Sequence, residues 1–261
     1  SCVLQAYGST RLADKELLDG LGRRVMQTSQ DLQGDDILAV VSSFSRMSLI
    51  HRPLFAKVGE RATEIIGQLS PTQTSQLVCA LGHVGVSDDR LAQAVVRQIP
   101  SSNFTASEAA HLITGLWQMN ATEVDEAFDV LADKISETGG DGLTGKELVA
   151  LCSVATDLKW RHPKLLRTLG TRAAQLQRDI DEEVGALPPD DGNHASKAGS
   201  DDKGIIQSRE TARIVLNTLS SFRIHHSEAR LALTAAAKQV SRDVPMLTEA
   251  ETTEMRALME R

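Results

Sequence analysis

The chain has 261 residues, of which 41% are apolar and 24% charged, a composition that folds rather than one that stays disordered. Aromatics make up only 3%, which argues against the Tyr-, Phe- and Trp-rich strands of a sandwich or barrel. A formal net charge of −7 excludes a chain-wide basic surface of the kind that displaces phosphate counterions.

The predicted elements recur along the chain. Residues 1–30 form a partial repeat, in which Tyr7, Leu12 and Leu17 anticipate Phe44, Leu49 and Leu54 one unit later. Residues 31–68 are the first full unit. Its helix A centres on Phe44, with Met47 and Leu49 extending one apolar face at helical spacing. Its helix B opens near Pro53 and carries Leu54, Val58 and Ile65. Residues 69–102 begin at Leu69-Ser70, centre on Leu81 with Val84 and Val86, and open a second helix near Asp88. Residues 103–142 begin at Phe104-Thr105, centre on Leu116 with Met119 and Ala121, and open a second helix near Thr122. Residues 143–183 begin at Leu143-Thr144, centre on Ala155 with Leu158 and Trp160, and open a second helix near Pro163. Pro suits a first helical turn, and Asp, Thr and Ser suit an N-cap.

Residues 184–204 are rich in Gly, Pro, Ser and Asp and hold almost no apolar side chain, so they are expected to be a flexible insertion. Residues 205–246 are a fifth unit centred on Leu219, with its second helix near Ser227, and residues 247–261 start a further one. The five central residues lie 37, 35, 39 and 64 positions apart, the last step being one unit plus the insertion. The fold expected is all-α: a single α-solenoid over residues 1–261, made of helix-turn-helix repeats of about 37 residues. The residue before each centre is mostly small (Ser43, Ala80, Gly115, Val154, Thr218), as close helix crossings require. Because both ends fall mid-unit, the chain is expected to be the ordered middle of a longer protein.

Catalytic motifs are weak. Gly140-Asp141-Gly142-Leu143-Thr144-Gly145-Lys146-Glu147 nearly spells a phosphate-binding loop, but Glu147 replaces the required Ser or Thr and a helix precedes it, so a glycine turn is expected. His51, His162 and His226 share one repeat position, but repeats stack about 10 Å apart, too far for a common metal shell; a polar turn position is expected. Cys79 and Cys152 read as small core residues of helices; with Cys2 they share no metal or redox spacing. The protein is therefore expected to be no enzyme, with no cofactor and no metal. No apolar run approaches the roughly 18 residues that span a bilayer, so no membrane insertion is expected.

Partner contact is sought at fixed repeat positions. Two residues before the centre stand Ser42, Thr114 and Asn217, small side chains able to hydrogen-bond, as one-base-per-repeat readers use. Four residues after it stand Arg11, Ser48, Gly85, Asn120, Lys159 and Arg223. Arg46, Arg52, Lys57 and Arg61 add charge to the first full unit, and Arg161 and Lys164 to the fourth; such cations suit phosphates.

The unit of about 37 residues, with Leu-Ser/Thr at its start and a Leu-x-x-x-Leu-x-x-Met/Val core, resembles the heptatricopeptide repeats and their octotricopeptide relatives. Residues 69–84 and 143–158 carry the likeness best. The resemblance implies a helical-repeat protein of organelles, mostly mitochondria, associated with RNA processing or stability. It implies RNA, rRNA above all, and neighbouring proteins of a large assembly as partners. The chain shows no RAP domain and is acidic, which fits a fixed subunit. The leading expectation is a mitochondrial ribosome subunit or rRNA-stabilising factor. The alternative is a protein–protein scaffold in another mitochondrial complex.

Overall fold

A computed structural model describes residues 15–46 and 51–185, together with 211, 213–215, 217–219, 221 and 222. Among these the chain is helical, with no strand, and it divides into two compact units, Ser1–Lys134 and Ile135–Arg261.

In the first unit the helices are α1 (Lys15–Gln27), α2 (Gly34–Arg46), α3 (Arg52–Ile65), α4 (Pro71–His83), α5 (Asp89–Gln98) and α6 (Ala106–Gln118). α7 (Asp125–Glu137) runs across the division. Helix α2 packs on α4 and α4 on α6, while α1 packs on α3 and α3 on α5. First and second helices of successive repeats therefore form two layers, the packing of an α-solenoid. Ile37, Val41, Phe44, Leu77, Val78, Leu81, Leu112, Ile113 and Leu116 are buried from one layer, and Leu54, Phe55, Val58, Leu91 and Val95 from the other. The centres inferred from the apolar spacing thus lie in the core.

The α4–α6 crossing is the tightest. A Cβ on Gly115 would stand 2.7 Å from the Val78 carbonyl carbon and 2.8 Å from the Cys79 nitrogen, and one on Gly82 would stand 2.6 Å from the Gly115 oxygen. Gly115 stands one residue before its repeat centre, and this contact is why a small residue is needed there.

The first helices α4, α6 and α8 each start on a reciprocal cap. The Ser70 hydroxyl accepts from the Gln73 N–H, while the Ser70 N–H donates to Gln73 Oε1 at 2.9 Å. Thr105 and Glu108 do the same, as do Thr144 and Glu147. These boxes satisfy helix N–H groups that have no partner within the helix. They also tie repeats together: Gln73 Nε2 donates to Asp35 at 2.6 Å, and the Thr72 hydroxyl donates to Glu108 at 2.5 Å.

Second-layer side chains hold main-chain carbonyls. Arg61 donates to the Leu32 oxygen and Arg172 to that of Leu143, both 29 residues back; Gln98 donates to Ile66 and Lys134 to Ser102, both 32 back. Much of the polar periodicity is therefore architectural.

Burial acts to raise the Glu108 carboxyl, but hydrogen bonds from Thr72 and Thr105 and the nearby His111 outweigh it, leaving it below its ordinary 4.5. A carboxyl lowered on folding adds stability above its unfolded value and loses it as pH falls through the folded one. Thr105→Ala is expected to cost about 1 kcal/mol at neutral pH. Glu108→Gln is expected to flatten the loss of stability as pH drops below about 4.5, read by urea denaturation across that range.

In the second unit α8 (Gly145–Asp157) packs on α9 (Pro163–Gly185). The second helices start at Arg52, Asp89 and Pro163, close to the expected positions, but α7 starts at Asp125 rather than near Thr122. The cause is local: Asn120 and Glu123 both take positive φ, 52° and 58°, which adds a bend before the helix. The expected opening near Ser227, most of the expected insertion, and the final partial unit lie outside the described residues.

Candidate nucleic-acid interface

Among the described residues, the turns that follow α4, α6 and α8 share one backbone device. Helix α4 ends with the Gly85 N–H on the Gly82 oxygen and the Val86 N–H on the Leu81 oxygen. Helix α6 ends with Asn120 on Trp117 and Ala121 on Leu116, and α8 with Lys159 on Thr156 and Trp160 on Ala155. Gly85, Asn120 and Lys159 occupy the left-handed region at φ 71°, 52° and 52°. These are Schellman-type ends, whose left-handed residue is usually Gly and sometimes Asn. The column read from sequence as a partner-facing polar position is therefore first a turn position.

The turns differ in charge. The α4–α5 turn has Asp88 and Asp89 against Arg90, and the α6–α7 turn has Glu123, Asp125 and Glu126 with no base. The α8–α9 turn and the start of α9 have Lys159, Arg161, Lys164 and Arg167, all exposed, against Asp157. Leu158 is 47% exposed, whereas Val84 and Met119 in the same column are 9% and 1% exposed. Trp160 is half-buried, its ring centroid 6.0 Å from that of His162. The apolar pattern assigned Leu158 and Trp160 to the core, and nothing in that pattern marked them as surface.

Two of the three shared histidines, His51 and His162, act where second helices begin, and His226 lies outside the described residues. His51 Nδ1 accepts from the Leu54 N–H and His162 Nδ1 from the Leu165 N–H, each at 3.2 Å, while Asp88 accepts from Arg90 and Leu91. They cap second helices. Among the described residues no cluster of His, Cys, Asp and Glu could hold a metal ion.

The glycine loop before α8 takes positive φ at Gly139, Gly140 and Gly142. Its amides are already committed: Gly140 to Ile135, Asp141 to Thr138, Gly142 to the Asp141 carboxylate, Leu143 to Gly140 and Thr144 to Glu147. The Glu147 carboxylate fills the place an anion would take at the helix start.

The other sequence candidates scatter. Arg52 is exposed at the start of α3, and Lys57 forms an ion pair with Glu60 at 2.7 Å. Ser42 on α2 and Thr114 on α6 are half-buried, and so is Asn217 in the second unit. Arg46 ends α2; Arg11 and Arg223 lie outside the described residues. The structure brings Lys159 and Arg161 into one turn.

An open hollow of about 520 Å³ lies at the ends of α4 and α6, lined by Gly82, His83, Val84, Gly85, Trp117, Gln118 and Asn120. Gly85 and Asn120, from the α4–α5 and α6–α7 turns, belong to its lining. Gln118 Oε1 is buried there without a hydrogen-bond partner. Cys152 is buried, with its thiol pushed up to about 12 by burial, while Cys79 is only half-buried, not a core residue as its setting suggested. No helix among the described residues is long and apolar enough to cross a membrane.

A family model described as RNA-editing substrate-binding complex 6 protein matches residues 1–135, which spans the first compact unit. No curated protein matches the chain.

Proposed function

Because the chain belongs to the family of the RNA-editing substrate-binding complex 6 protein, we propose that it is a non-catalytic helical-repeat subunit of an assembly that holds RNA to be edited. The observation that carries this reading is the match over just over half of the chain. The two-layer repeat supports it, because such arrays offer long surfaces to several partners at once. The repeat's likeness to heptatricopeptide units supports the same general class. The family points to an editing-substrate complex where the repeat alone suggested a mitochondrial ribosome and rRNA. A mitochondrial location is part of the proposal.

Contact with neighbouring proteins is the complementary reading, and the acidic α4–α5 and α6–α7 turns favour it at that edge. Five acids against one base repel phosphate and attract cationic protein surfaces.

Affinity purification of the full-length protein, with half the sample treated with ribonuclease, tests the proposal. RNA in the untreated sample, with part of the protein set released by treatment, is the expected result. A protein set free of RNA and indifferent to ribonuclease overturns the RNA association and leaves a protein scaffold.

A further inference from the structure

We infer that the α8–α9 turn is a contact for single-stranded RNA, in which Trp160 stacks on an unpaired base and Lys159, Arg161 and Lys164 meet the flanking phosphates. The inference rests on the RNA-associated reading above and adds the place. The turn lies outside the residues matched by the family model, so the family name does not supply it.

Three features of this turn run against local stability, and one ligand accounts for all three. Lys159 occupies a left-handed position, φ 52°, where the equivalent turns use Gly85 and Asn120. A side chain with a Cβ is disfavoured there unless something retains it. Second, α9 opens with Lys164 and Arg167 and carries no acid in its first turn. Helices α5 and α7 open with Asp89 and with Asp125 and Glu126, as the helix dipole prefers, while α3 shares the lack of an acid and has one cation, Arg52, in place of two. Cations beside a positive helix end repel it, but together they attract a phosphate. Third, Leu158 is 47% exposed at a position that is buried in the α4–α5 and α6–α7 turns.

Placed together, these residues have the make-up of a single-strand platform. Such platforms combine cations along the backbone with an aromatic face on which a base stacks, tolerant of sequence. Trp160 supplies the ring, partly exposed and braced by His162. Leu158 supplies apolar surface beside it, and Lys159 and Arg161 flank the ring on either side in the chain. Duplex RNA fits less well, because its bases are stacked internally and present no face to a tryptophan.

The test is fluorescence anisotropy of the full chain with a labelled, unstructured single-stranded RNA of mixed sequence. Trp160→Ala is expected to weaken binding roughly tenfold or more, and Trp160→Phe to keep most of it. Lys159→Gly separates function from folding. It is expected to raise Tm, since it relieves the left-handed residue, and yet to weaken binding several-fold with a salt slope shallower by about 0.7. A purely structural turn predicts no loss of binding from that variant. If wild type binds and all three variants bind equally well, the site is wrong and the RNA association stands. If the isolated chain binds no RNA, the inference is overturned, and the co-purification alone decides the broader reading. Ultraviolet crosslinks from this turn to protein only, in the intact complex, also overturn it.

Discussion

Gly115→Ala is expected to lower the stability of the protein by about 2 kcal/mol, although alanine is the better helix former. Intrinsic propensity favours the change by about 1 kcal/mol in a helix interior. Packing opposes it and wins. The added Cβ would stand 2.7 Å from both the carbonyl carbon and oxygen of Val78 and 2.8 Å from the Cys79 nitrogen. These are main-chain atoms of α4, so no rotamer change relieves them and the two helices must separate. Overpacking of this kind typically costs 1–3 kcal/mol, and more where the neighbour is rigid. For a chain of this size that net cost lowers Tm by about 4–8 °C. Gly20→Ala is the control. Gly20 lies within α1, is exposed, and would meet nothing within 4 Å, so the same substitution there is expected to raise stability by about 0.5–1 kcal/mol. Thermal melts of both variants by circular dichroism decide the matter. Equal and positive shifts would show that α4 and α6 do not touch at Gly115.

The close crossing was legible in the sequence, because a small residue recurs one position before most repeat centres. The centres themselves were legible for the same reason: Phe44, Leu81, Leu116 and Ala155 all stand at a period that only stacked hairpins satisfy, and all are buried. The Ser and Thr at the repeat starts predict caps, and Ser70, Thr105 and Thr144 are caps. The Gln or Glu three residues later was equally visible in the sequence. Its second role was not, since the bonds Gln73–Asp35 and Thr72–Glu108 join residues 38 and 36 apart whose approach depends on tertiary packing. The histidine column held a polar turn role, refined by the structure to helix capping.

What escaped the sequence has a common cause. Periodicity ranks positions by face and does not report whether the next element covers that face. Leu158 and Met119 occupy one column, yet one is 47% exposed and the other 1%. Likewise, backbone conformation is invisible to polarity: Gly85, Asn120 and Lys159 look like an irregular surface column, and their shared property is a positive φ. Arg61 shows the reverse: a charged residue that suggests ligand contact is spent on a main-chain carbonyl of a neighbouring turn, as Arg172 is in the fourth repeat.

The largest single loss is expected from Phe44→Ala. Phe44 is 1% exposed, at the centre of the first full repeat. Its ring meets Phe55 edge-on at 6.1 Å and 82°, and His51 at 6.4 Å and 74°. It thereby joins α2 to α3 and to the residue that caps α3. Truncating a buried phenylalanine removes the transfer energy of the ring and leaves a cavity, together about 3–5 kcal/mol. Tm is expected to fall by about 10 °C or more. Ala155 occupies the same column in the fourth repeat and is fully buried, so alanine itself is compatible with the position. The cost at Phe44 therefore comes from what surrounds it, above all Phe55, which is also fully buried. A double-mutant cycle with Phe55→Ala isolates that part. Edge-to-face aromatic pairs contribute about 0.5–1.5 kcal/mol beyond area burial, so the double variant should lose less than the sum of the single losses by about that amount. Strict additivity would mean that the rings do not meet, and that α2 and α3 are joined elsewhere.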